Sequence, residues 1–538
     1  MNKVFQVIYS EARNGYVVVS ELAGKHGRGA HSSGRKSVML TAAVLSALAS
    51  FSWADLPEAQ AAERTEPLTV TQKDQVVTDD LNVSISDGRQ DAAVDIPASA
   101  GGGKIQIDAS QIRGTFTQSA NDKIMEANGV YIHGDYTGTV QFADGLQVST
   151  TAEGKDFNAD CIYLTGVEDS YDSKGHMTEE KTDKVNDAFE KNGQIAEAYG
   201  IVGKNTTLTL TGKPVDGQYI NMAALESHFA HMTVGDGLNV SVTAGPAKNL
   251  YVSGLDIMYY GQMQLGSGNT IKIQADTGDT AKVVDLHGIY SSHDHPSQYE
   301  EQLPALGRQK LDAGDDTNLI IDFTSSPKNT GYVENTGAFL SNTDFTFGNR
   351  LHIQNTMKGS GVLGDTGSLV EGIFAQSSDG HIGQDFTDNV IFSDGQISRL
   401  RGVNVYGHGK QSSLTIGDNS QVNLTVDQGN VSAETEGYFA LNQGKISTGN
   451  HAYTSITIKD STLQGIIAGL NAQDRSSIQM GDDAQVFIDT DKTSTLENMV
   501  MGLDAQNQSS IKLGNNAQVA IDAAEGSVVK NPIDGAFL

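Results

Sequence analysis

The sequence predicts an all-β fold, a right-handed parallel β-helix solenoid with loop excursions, preceded by a helical signal peptide. Three observations support this prediction. Short segments of alternating apolar and polar residues recur with Gly-Asx turns inside them, glycine occurs 59 times against 9 prolines, and a basic and then apolar leader precedes the repeats. The first two favour stacked short strands, and the third is typical of a chain that is exported.

Three segments align without gaps and show the repeat most clearly. They begin at Ser412, Ser476 and Ser509, so their offsets are 476 − 412 = 64 and 509 − 476 = 33, close to a two-to-one ratio. In each segment apolar residues alternate on both sides of a Gly-Asx-Asx-small turn. Each unit is therefore predicted to be two strands joined by a turn in which glycine permits positive φ and the Asx side chains cap their own backbone.

A second recurring element is a glycine followed by one or two apolar residues. It occurs at Gly129, Gly200, Gly288, Gly372, Gly437, Gly469 and Gly502. Because one strand-turn-strand unit cannot cover its own apolar face, the units must stack, which predicts a solenoid of roughly twenty coils with about 22–25 residues each and a length near 95 Å. A string of sandwich domains is the competing interpretation, but no proline-rich linker occurs between residues 100 and 520.

Composition excludes several classes of function. The 538 residues contain 36 Lys and Arg against 66 Asp and Glu, a formal net charge of −30. A surface this acidic repels phosphate backbones, which disfavours nucleic-acid binding. A single cysteine, Cys161, excludes a disulfide framework and any site with several cysteine ligands, and we predict that it is a small core residue.

Residues 1–54 have the features of an export signal. They hold six basic and two acidic residues, a net +4, so the remaining chain carries −30 − 4 = −34. Basic residues precede an uncharged apolar run at 38–51, which is too short to span a bilayer, and small residues follow it. We predict cleavage after Ala54, with Ala62 as the alternative.

The residues before the apolar run follow a further pattern. They read Met1–Lys3, then Phe5, Val7–Ser10 and Tyr16–Ala23. This pattern resembles the extended signal peptide region of Gram-negative type V secretion proteins, although Phe5 and Tyr9 stand where Tyr and Trp are common. The resemblance implies export across the inner membrane by the Sec translocon.

The repeats resemble the passenger of an AIDA- or pertactin-type autotransporter. Neither the head repeats and heptad stalk of trimeric adhesins nor an early Asn-Pro-Asn motif of two-partner exoproteins occurs. The resemblance implies a C-terminal translocator barrel, but the repeat continues to Ile521, and only 538 − 521 = 17 positions follow it. We therefore expect no barrel in this chain and a translocator that is supplied elsewhere.

The remaining segments complete the predicted domain organisation. Residues 55–80 are polar and unpatterned, which predicts a flexible lead-in, and 81–538 are the β-helix passenger repeats. The stretch 172–198 breaks the strand rhythm and predicts a loop with a short helix. The stretch 293–307, with two prolines, predicts a second loop, and such loops commonly carry binding specificity.

No catalytic residue is assigned. The motif Gly364-Asp365-Thr366-Gly367-Ser368 resembles the Gly-Asp-Ser-Gly loop of trypsin-like proteases, but Thr366 occupies the nucleophile position. We interpret this motif as a turn, and we find no lipase-type elbow in a strand-to-helix context, no phosphate loop and no dinucleotide motif.

No metal or cofactor is predicted. The densest group of metal-ligand types is His287, His293, Asp294 and His295, which lacks zinc-protease spacing and is interpreted as solvent-exposed, with a weak divalent-cation site as the alternative. Glu226, His228 and His231 are interpreted in the same way. The acidic stretch 312–316 could attract calcium, although the nine-residue calcium-binding repeat is absent.

The expected function is that of an exported passenger, an adhesin or self-association module that binds a host surface, matrix or neighbouring cells and is not an enzyme. Many weak hydrogen bonds along a polar β face would provide the binding. One alternative is a remnant of a truncated gene. Another is a carbohydrate-active β-helix enzyme, which would need paired acidic residues on adjacent coils. The expected location is the cell surface if a barrel is supplied, and otherwise the periplasm.

Overall fold

The computed structural model describes the leader in part and most of the repeats, namely residues 5–10, 15–20, 62–86, 90–97, 100, 103–118, 124–133, 138–166, 198–279, 281–292, 308–363 and 367–537. The chain forms two compact units, Met1–Ala59 and Gln60–Leu538. In the first unit the strands Phe5–Ser10 and Gly15–Ser20 pair antiparallel. The apolar run predicted to be helical and the cleavage residue Ala54 lie outside the described residues.

The second unit is a parallel β-solenoid in which each coil contributes strands to three faces. Face 1 is a 13-stranded sheet. Its strands are Val76–Val77, Lys104–Ile107, Gly138–Phe142, Ala198–Val202, His231–Val234, Gln262–Leu265, Gln309–Ala313, Thr343–Phe347, Asp379–Ile382, Ser412–Ile416, Gly444–Thr448, Ser477–Gln479 and Ser510–Lys512. Each strand pairs in parallel with the equivalent strand of the next coil.

Faces 2 and 3 form one 29-stranded sheet, because the long strands Gln147–Thr165 and Thr207–His228 run from face 2 into face 3. The other strands of face 2 are Ala62–Arg64, Leu81–Ile85, Gln111–Thr117, Asn239–Ala244, Thr270–Asp276, Asn318–Thr324, His352–Lys358, Thr387–Ser393, Gln421–Asp427, Tyr453–Lys459, Gln485–Thr490 and Gln518–Ala523. Those of face 3 are Leu68–Thr69, Gln90–Ile96, Met125–Ile132, Asn249–Met258, Val283–Ser292, Tyr332–Ser341, Leu369–Gln376, Gln396–Tyr406, Asn430–Leu441, Thr462–Leu463, Ile466–Gln473, Thr495–Leu496, Val500–Ala505, Val528–Val529 and Ile533–Phe537. The prediction of an all-β parallel solenoid is confirmed, and its right-handed sense stays a prediction.

The coils are longer and fewer than the sequence analysis predicts. Gln421 pairs with Tyr453 and Gln485 with Gln518, so neighbouring coils are offset by 453 − 421 = 32 or 518 − 485 = 33 positions, well above the predicted coil length. The reason is that each strand-turn-strand unit is followed by a third strand before the chain returns to face 1. The thirteen strands of face 1 therefore span about twelve steps of about 4.8 Å, or about 58 Å, which is shorter than the predicted rod.

The core is a set of aliphatic rows that run along the stack. In Gln421–Asp427 the side chains of Val422, Leu424 and Val426 are fully buried, whereas Asn423 lies half-buried on the outside. Parallel pairing in register places each inner residue against its equivalent in the next coil, so the rows form one continuous cluster. Burial of each such side chain contributes roughly 1.5–3 kcal/mol, and the stabilisation is distributed along the rod.

The Gly-Asx turn between faces 1 and 2 works differently from the prediction. Positive φ falls on Asn419, at 62°, and not on Gly417. Gly417 is needed for space, because a Cβ there would lie 2.8 Å from the backbone nitrogen of Gln384 in the preceding coil. The Asp418 side chain also caps the following coil and not its own turn, since its Oδ1 accepts the Asn450 N–H at 2.7 Å. The turns are thus hydrogen-bonded to one another along the stack.

The solenoid starts earlier than predicted. The strand Ala62–Arg64 pairs with Leu81–Val83, and Val76–Val77 pairs with Gln106 and Ile107 in the next coil. Residues 62–80, which the sequence analysis assigned to a flexible lead-in, therefore form most of a coil. The prediction missed these strands because they are only two or three residues long and lie in a polar stretch of sequence. The predicted loop with a short helix at 172–198, except for its last residue, and the loop at 293–307 lie outside the described residues.

Candidate functional site

Face 3 bends at a column of glycines, one in most coils. Gly437 has no pairing partner, although the residues on both sides of it do. A Cβ on Gly437 would lie 2.5 Å from the carbonyl oxygen of Gly469 and 2.4 Å from Thr454 Cγ2, so only glycine fits. The same position holds Gly129, Gly254, Gly288, Gly337, Gly372, Gly402, Gly437, Gly469, Gly502 and Gly535.

This column explains the recurring glycine of the sequence analysis. Six of the seven glycines named there belong to it, and the seventh, Gly200, lies instead in the face 1 strand Ala198–Val202. The element thus marks the bend of face 3 in most coils.

The bend brings outward side chains from both sides of the glycine together in a crevice along the rod. The residue before the glycine contacts the residue two after the glycine, either in its own coil or in the next coil. Asn404 Nδ2 donates to Glu371 Oε2 at 3.2 Å, and the rings of His287 and Tyr290 lie 4.9 Å apart. The crevice is lined by a first row, Asn128, Asp160, Ala223, Ser253, His287, Thr336, Glu371, Arg401, Glu436 and Ala468, and a second row, Tyr131, Tyr163, Glu226, Asp256, Tyr290, Phe339, Phe374, Asn404, Phe439 and Asn471.

Aromatic rings stack along the middle of the crevice. The rings of Tyr290 and Phe339 are 5.2 Å apart, and those of Phe339 and Phe374 are 4.9 Å apart. This spacing is close to the separation of coils, so neighbouring rings pack against each other along the row. The row therefore stabilises the stack.

Charged side chains fill the crevice towards the C-terminal part, in what we call the ionic zone (Glu371, Arg401, Asn404, Glu434, Glu436, Phe439 and Asn471). Arg401 Nε donates to Glu436 Oε2 at 2.9 Å, and Arg401 Nη2 donates to Glu434. The Arg401 guanidinium lies 4.4 Å above the Phe439 ring. Burial raises the pKa of Glu371 and that of Glu436 to about 7, although Arg401 opposes both shifts.

Carboxyl groups meet at the N-terminal part of the crevice. Asp160 and Glu226, on adjacent coils, lie within hydrogen-bonding reach of each other. Burial, followed by the charge of Glu226, raises the pKa of Asp160 well above its usual value. His228 Nε2 lies 2.7 Å from Glu226 Oε1, and His228 is 5% exposed and Glu226 9%. The interpretation of Glu226 and His228 as solvent-exposed is therefore wrong.

The other histidines of the sequence analysis separate from one another. His231 is half-buried on face 1, where its ring stacks on Tyr199 at 5.1 Å. His287 is 5% exposed, and burial lowers its pKa to about 3, so it is neutral; its interpretation as solvent-exposed is also wrong. His293, Asp294 and His295 lie outside the described residues. Within those residues, no group of three His, Cys, Asp or Glu side chains has an arrangement that could hold a metal ion.

Residues of the protease-like motif and of the acidic stretch make contacts that hold neighbouring coils together. Ser368 is fully buried, and its Oγ accepts the Val333 N–H at 2.9 Å, while 364–366 lie outside the described residues. Asp315 Oδ1 accepts the Asn349 N–H at 2.7 Å, and Arg350 Nε donates to Asp316 Oδ1 at 2.5 Å. These two carboxylates thus belong to the turn ladder, the series of contacts that links the Gly-Asx turns of successive coils. The prediction that Cys161 is a core residue is confirmed, since it is fully buried.

Face 2 carries a patch without charge, which the sequence analysis did not locate. The uncharged patch consists of eight half-buried outward residues from the middle of four adjacent strands, Gln354, Thr356, Asn389, Ile391, Asn423, Thr425, Ser455 and Thr457. Their polar groups are linked along the stack, since Asn423 Nδ2 donates to Asn389 Oδ1 at 3.0 Å and Ser455 Oγ donates to Asn423 Oδ1 at 2.8 Å.

Comparison with known families identifies the leader. Residues 1–50 match the family model described as Extended Signal Peptide of Type V secretion system. The chain carries a type V secretion signal. This signal implies export from a Gram-negative cell through the Sec translocon and an outer-membrane translocator, and the body is a β-solenoid of the autotransporter-passenger type.

Other comparisons add nothing to this identification. The passenger matches no curated protein and no solved structure. Within the described part of the passenger, no helix is long and apolar enough to cross a membrane.

Proposed function

We propose that the passenger is an adhesin or self-association module at the cell surface, and that the uncharged patch of face 2 is its binding surface. The observation that supports this proposal is the absence of charge at eight outward positions on four adjacent coils. The partner would be a second cell that bears the same passenger, or a host surface or matrix.

Charge explains why such a patch suits association. Beyond the leader the chain carries −34, so two copies repel each other at long range, and a charged group buried in their contact would have to be desolvated. Hydroxyl and amide groups can exchange hydrogen bonds with water for hydrogen bonds with a partner at little net cost. Each such bond is weak, but many passengers on one cell would add their contacts.

The test is an aggregation assay with charge placed inside the patch. The full chain is displayed on non-aggregating cells through a fused translocator barrel, and settling is compared with the double variant Asn389→Glu, Thr425→Glu. Both positions are half-buried and outward, so the substitutions should not disturb the core. We expect the unmodified passenger to cause settling and the variant to abolish it at equal surface display.

A matched control uses the other polar face. Thr415→Glu with Ser447→Glu adds the same charge at outward positions of face 1 in the same region of the rod. We expect this variant to settle like the unmodified passenger. Equal loss in both variants would mean that added charge alone prevents association, and settling with neither variant impaired would exclude the patch as the surface.

The same proposal makes the passenger a binding protein and not an enzyme. A second candidate function rests on one observation. Asp160 and Glu226 are paired carboxyl groups on adjacent coils, as a carbohydrate-active enzyme would need. However, they lie within hydrogen-bonding reach of each other, whereas glycoside hydrolysis needs carboxyl groups about 5 Å or more apart. Digestion of polysaccharides that is lost in Asp160→Asn would favour this second function.

A further inference from the structure

The ionic zone contains more hydrogen-bond acceptors than donors. Arg401 is surrounded by the carboxylates of Glu371, Glu434 and Glu436, and its hydrogen bonds go to Glu434 and Glu436. Arg399, a second nearby cation, donates instead to the carbonyl oxygen of Gly367 at 3.2 Å. Three carboxyl groups therefore share one guanidinium, and burial favours protonation of Glu371 and Glu436 where no further cation is bound.

Two buried amides provide an independent observation. Asn404 and Asn471 lie in the second row of the crevice, two coils apart with Phe439 between them. Their side chains are buried, with 3% and 0% of the residue exposed. Each uses its Nδ2 to donate to a carboxylate, Asn404 to Glu371 and Asn471 to Glu436 at 2.5 Å. The Oδ1 atom of each has no hydrogen-bond partner. A buried amide oxygen without a donor costs about 1–3 kcal/mol, which a ligand that donates hydrogen bonds would recover.

We propose that the ionic zone binds an arginine side chain of a partner protein. A guanidinium offers five N–H donors in a planar fork that matches carboxylate and amide oxygens, and it stacks on aromatic rings. Phe374 lies half-buried beside the zone and supplies such a ring. Glu434, whose side chain is 33% exposed, lies at the opening and would meet the ligand first. This site is separate from the uncharged patch, so each can fail without the other.

A short peptide tests the proposal directly. The purified full chain is titrated calorimetrically at 0.15 M salt with a blocked tri-arginine peptide, its tri-lysine version and its uncharged tri-citrulline version. At this ionic strength charges more than about 8 Å apart are largely screened. We expect the arginine peptide to bind at least fivefold more tightly than the lysine peptide, and the citrulline peptide not to bind measurably.

Two variants and one control distinguish a site from general attraction to an acidic chain. Glu434→Gln removes the charge at the opening. Asn404→Leu keeps the branching of the side chain but removes the buried oxygen together with the Nδ2 donor to Glu371. We expect each to weaken arginine binding about tenfold. Asp322→Asn removes one exposed carboxylate on face 2 and should leave binding within twofold of the unmodified chain.

Circular dichroism first establishes that every variant retains its β signal. Equal weakening by Glu434→Gln and Asp322→Asn would show general charge attraction and overturn the proposal. Arginine and lysine peptides that bind equally, or an arginine peptide that does not bind at all, would overturn it too.

Discussion

Substitution of a single glycine tests the geometry of the whole crevice. In Gly437→Ala the new Cβ would lie 2.5 Å from the Gly469 carbonyl oxygen and 2.4 Å from Thr454 Cγ2. A contact this short with backbone cannot be relieved by a change of rotamer, so the coils must move apart at the bend. Overpacking of this kind costs about 1–3 kcal/mol. We expect a lower midpoint of guanidinium unfolding, followed by circular dichroism.

The chain contains its own control for this substitution. Gly535 lies in the same column, but a Cβ there would meet no atom within 4 Å. Gly535→Ala removes the same backbone freedom without a clash, so we expect its stability to stay within about 0.5 kcal/mol of the unmodified chain. If both variants unfold alike, or if Gly437→Ala has no effect, the close approach of the coils does not determine the glycine column.

Three further predictions concern buried groups. Asp388 is fully buried between Ile353 and Val422 of its inner row, and neither of its carboxylate oxygens has a hydrogen-bond partner. Asp388→Val should therefore raise the free energy of unfolding by about 1–3 kcal/mol, measured in urea at pH 7. A lower stability of the variant would show that a hydrogen-bond partner satisfies Asp388 in the folded chain. Burial raises the pKa of Glu371 to about 7, above its value in the unfolded chain, so the contribution of this residue to stability is complete at pH 4 and is lost as the pH rises through 7. Glu371→Gln should therefore raise the urea midpoint of unfolding more at pH 8 than at pH 5. An equal rise at both pH values would contradict this prediction. Burial also raises the pKa of Cys161 to about 12, so Ellman's reagent should react with it only after unfolding, and rapid reaction of the folded chain would disprove its burial.

The sequence predicts the solenoid well because its clearest repeats cover the part of the chain with uniform coils. The segments that begin at Ser476 and Ser509 lie one coil apart, and the segment at Ser412 lies two coils before Ser476. The predicted coil length was nevertheless wrong, because the third strand of each coil has no turn motif of its own and its sequence varies from coil to coil. The recurring glycine marks this third strand in the sequence.

The crevice is harder to predict, because it depends on register between coils of unequal length. Glu371 and Arg401 differ by 401 − 371 = 30 positions, whereas Arg401 and Glu436 differ by 35, so a fixed repeat does not align them. Asp160 and Glu226 are separated by 226 − 160 = 66 positions, and residues 167–197, which lie outside the described residues, fall between them. Alignment on the recurring glycine would have brought Glu371, Arg401 and Glu436 into one column, since each directly precedes such a glycine.

The turn ladder determines how the rod can change in length. The Oδ1 atoms of Asp418, Asn450 and Asp482 accept the backbone N–H groups of Asn450, Asp482 and Asn515, each in the next coil. Each turn in this series therefore accepts a hydrogen bond from the following turn and donates one to the preceding turn. An in-frame deletion of one coil, from one such Asx to the next, would therefore rejoin two compatible rungs and shorten the molecule by about 4.8 Å. A deletion of half that size would join mismatched edges, so gene duplication and loss can adjust the reach of this passenger in whole rungs.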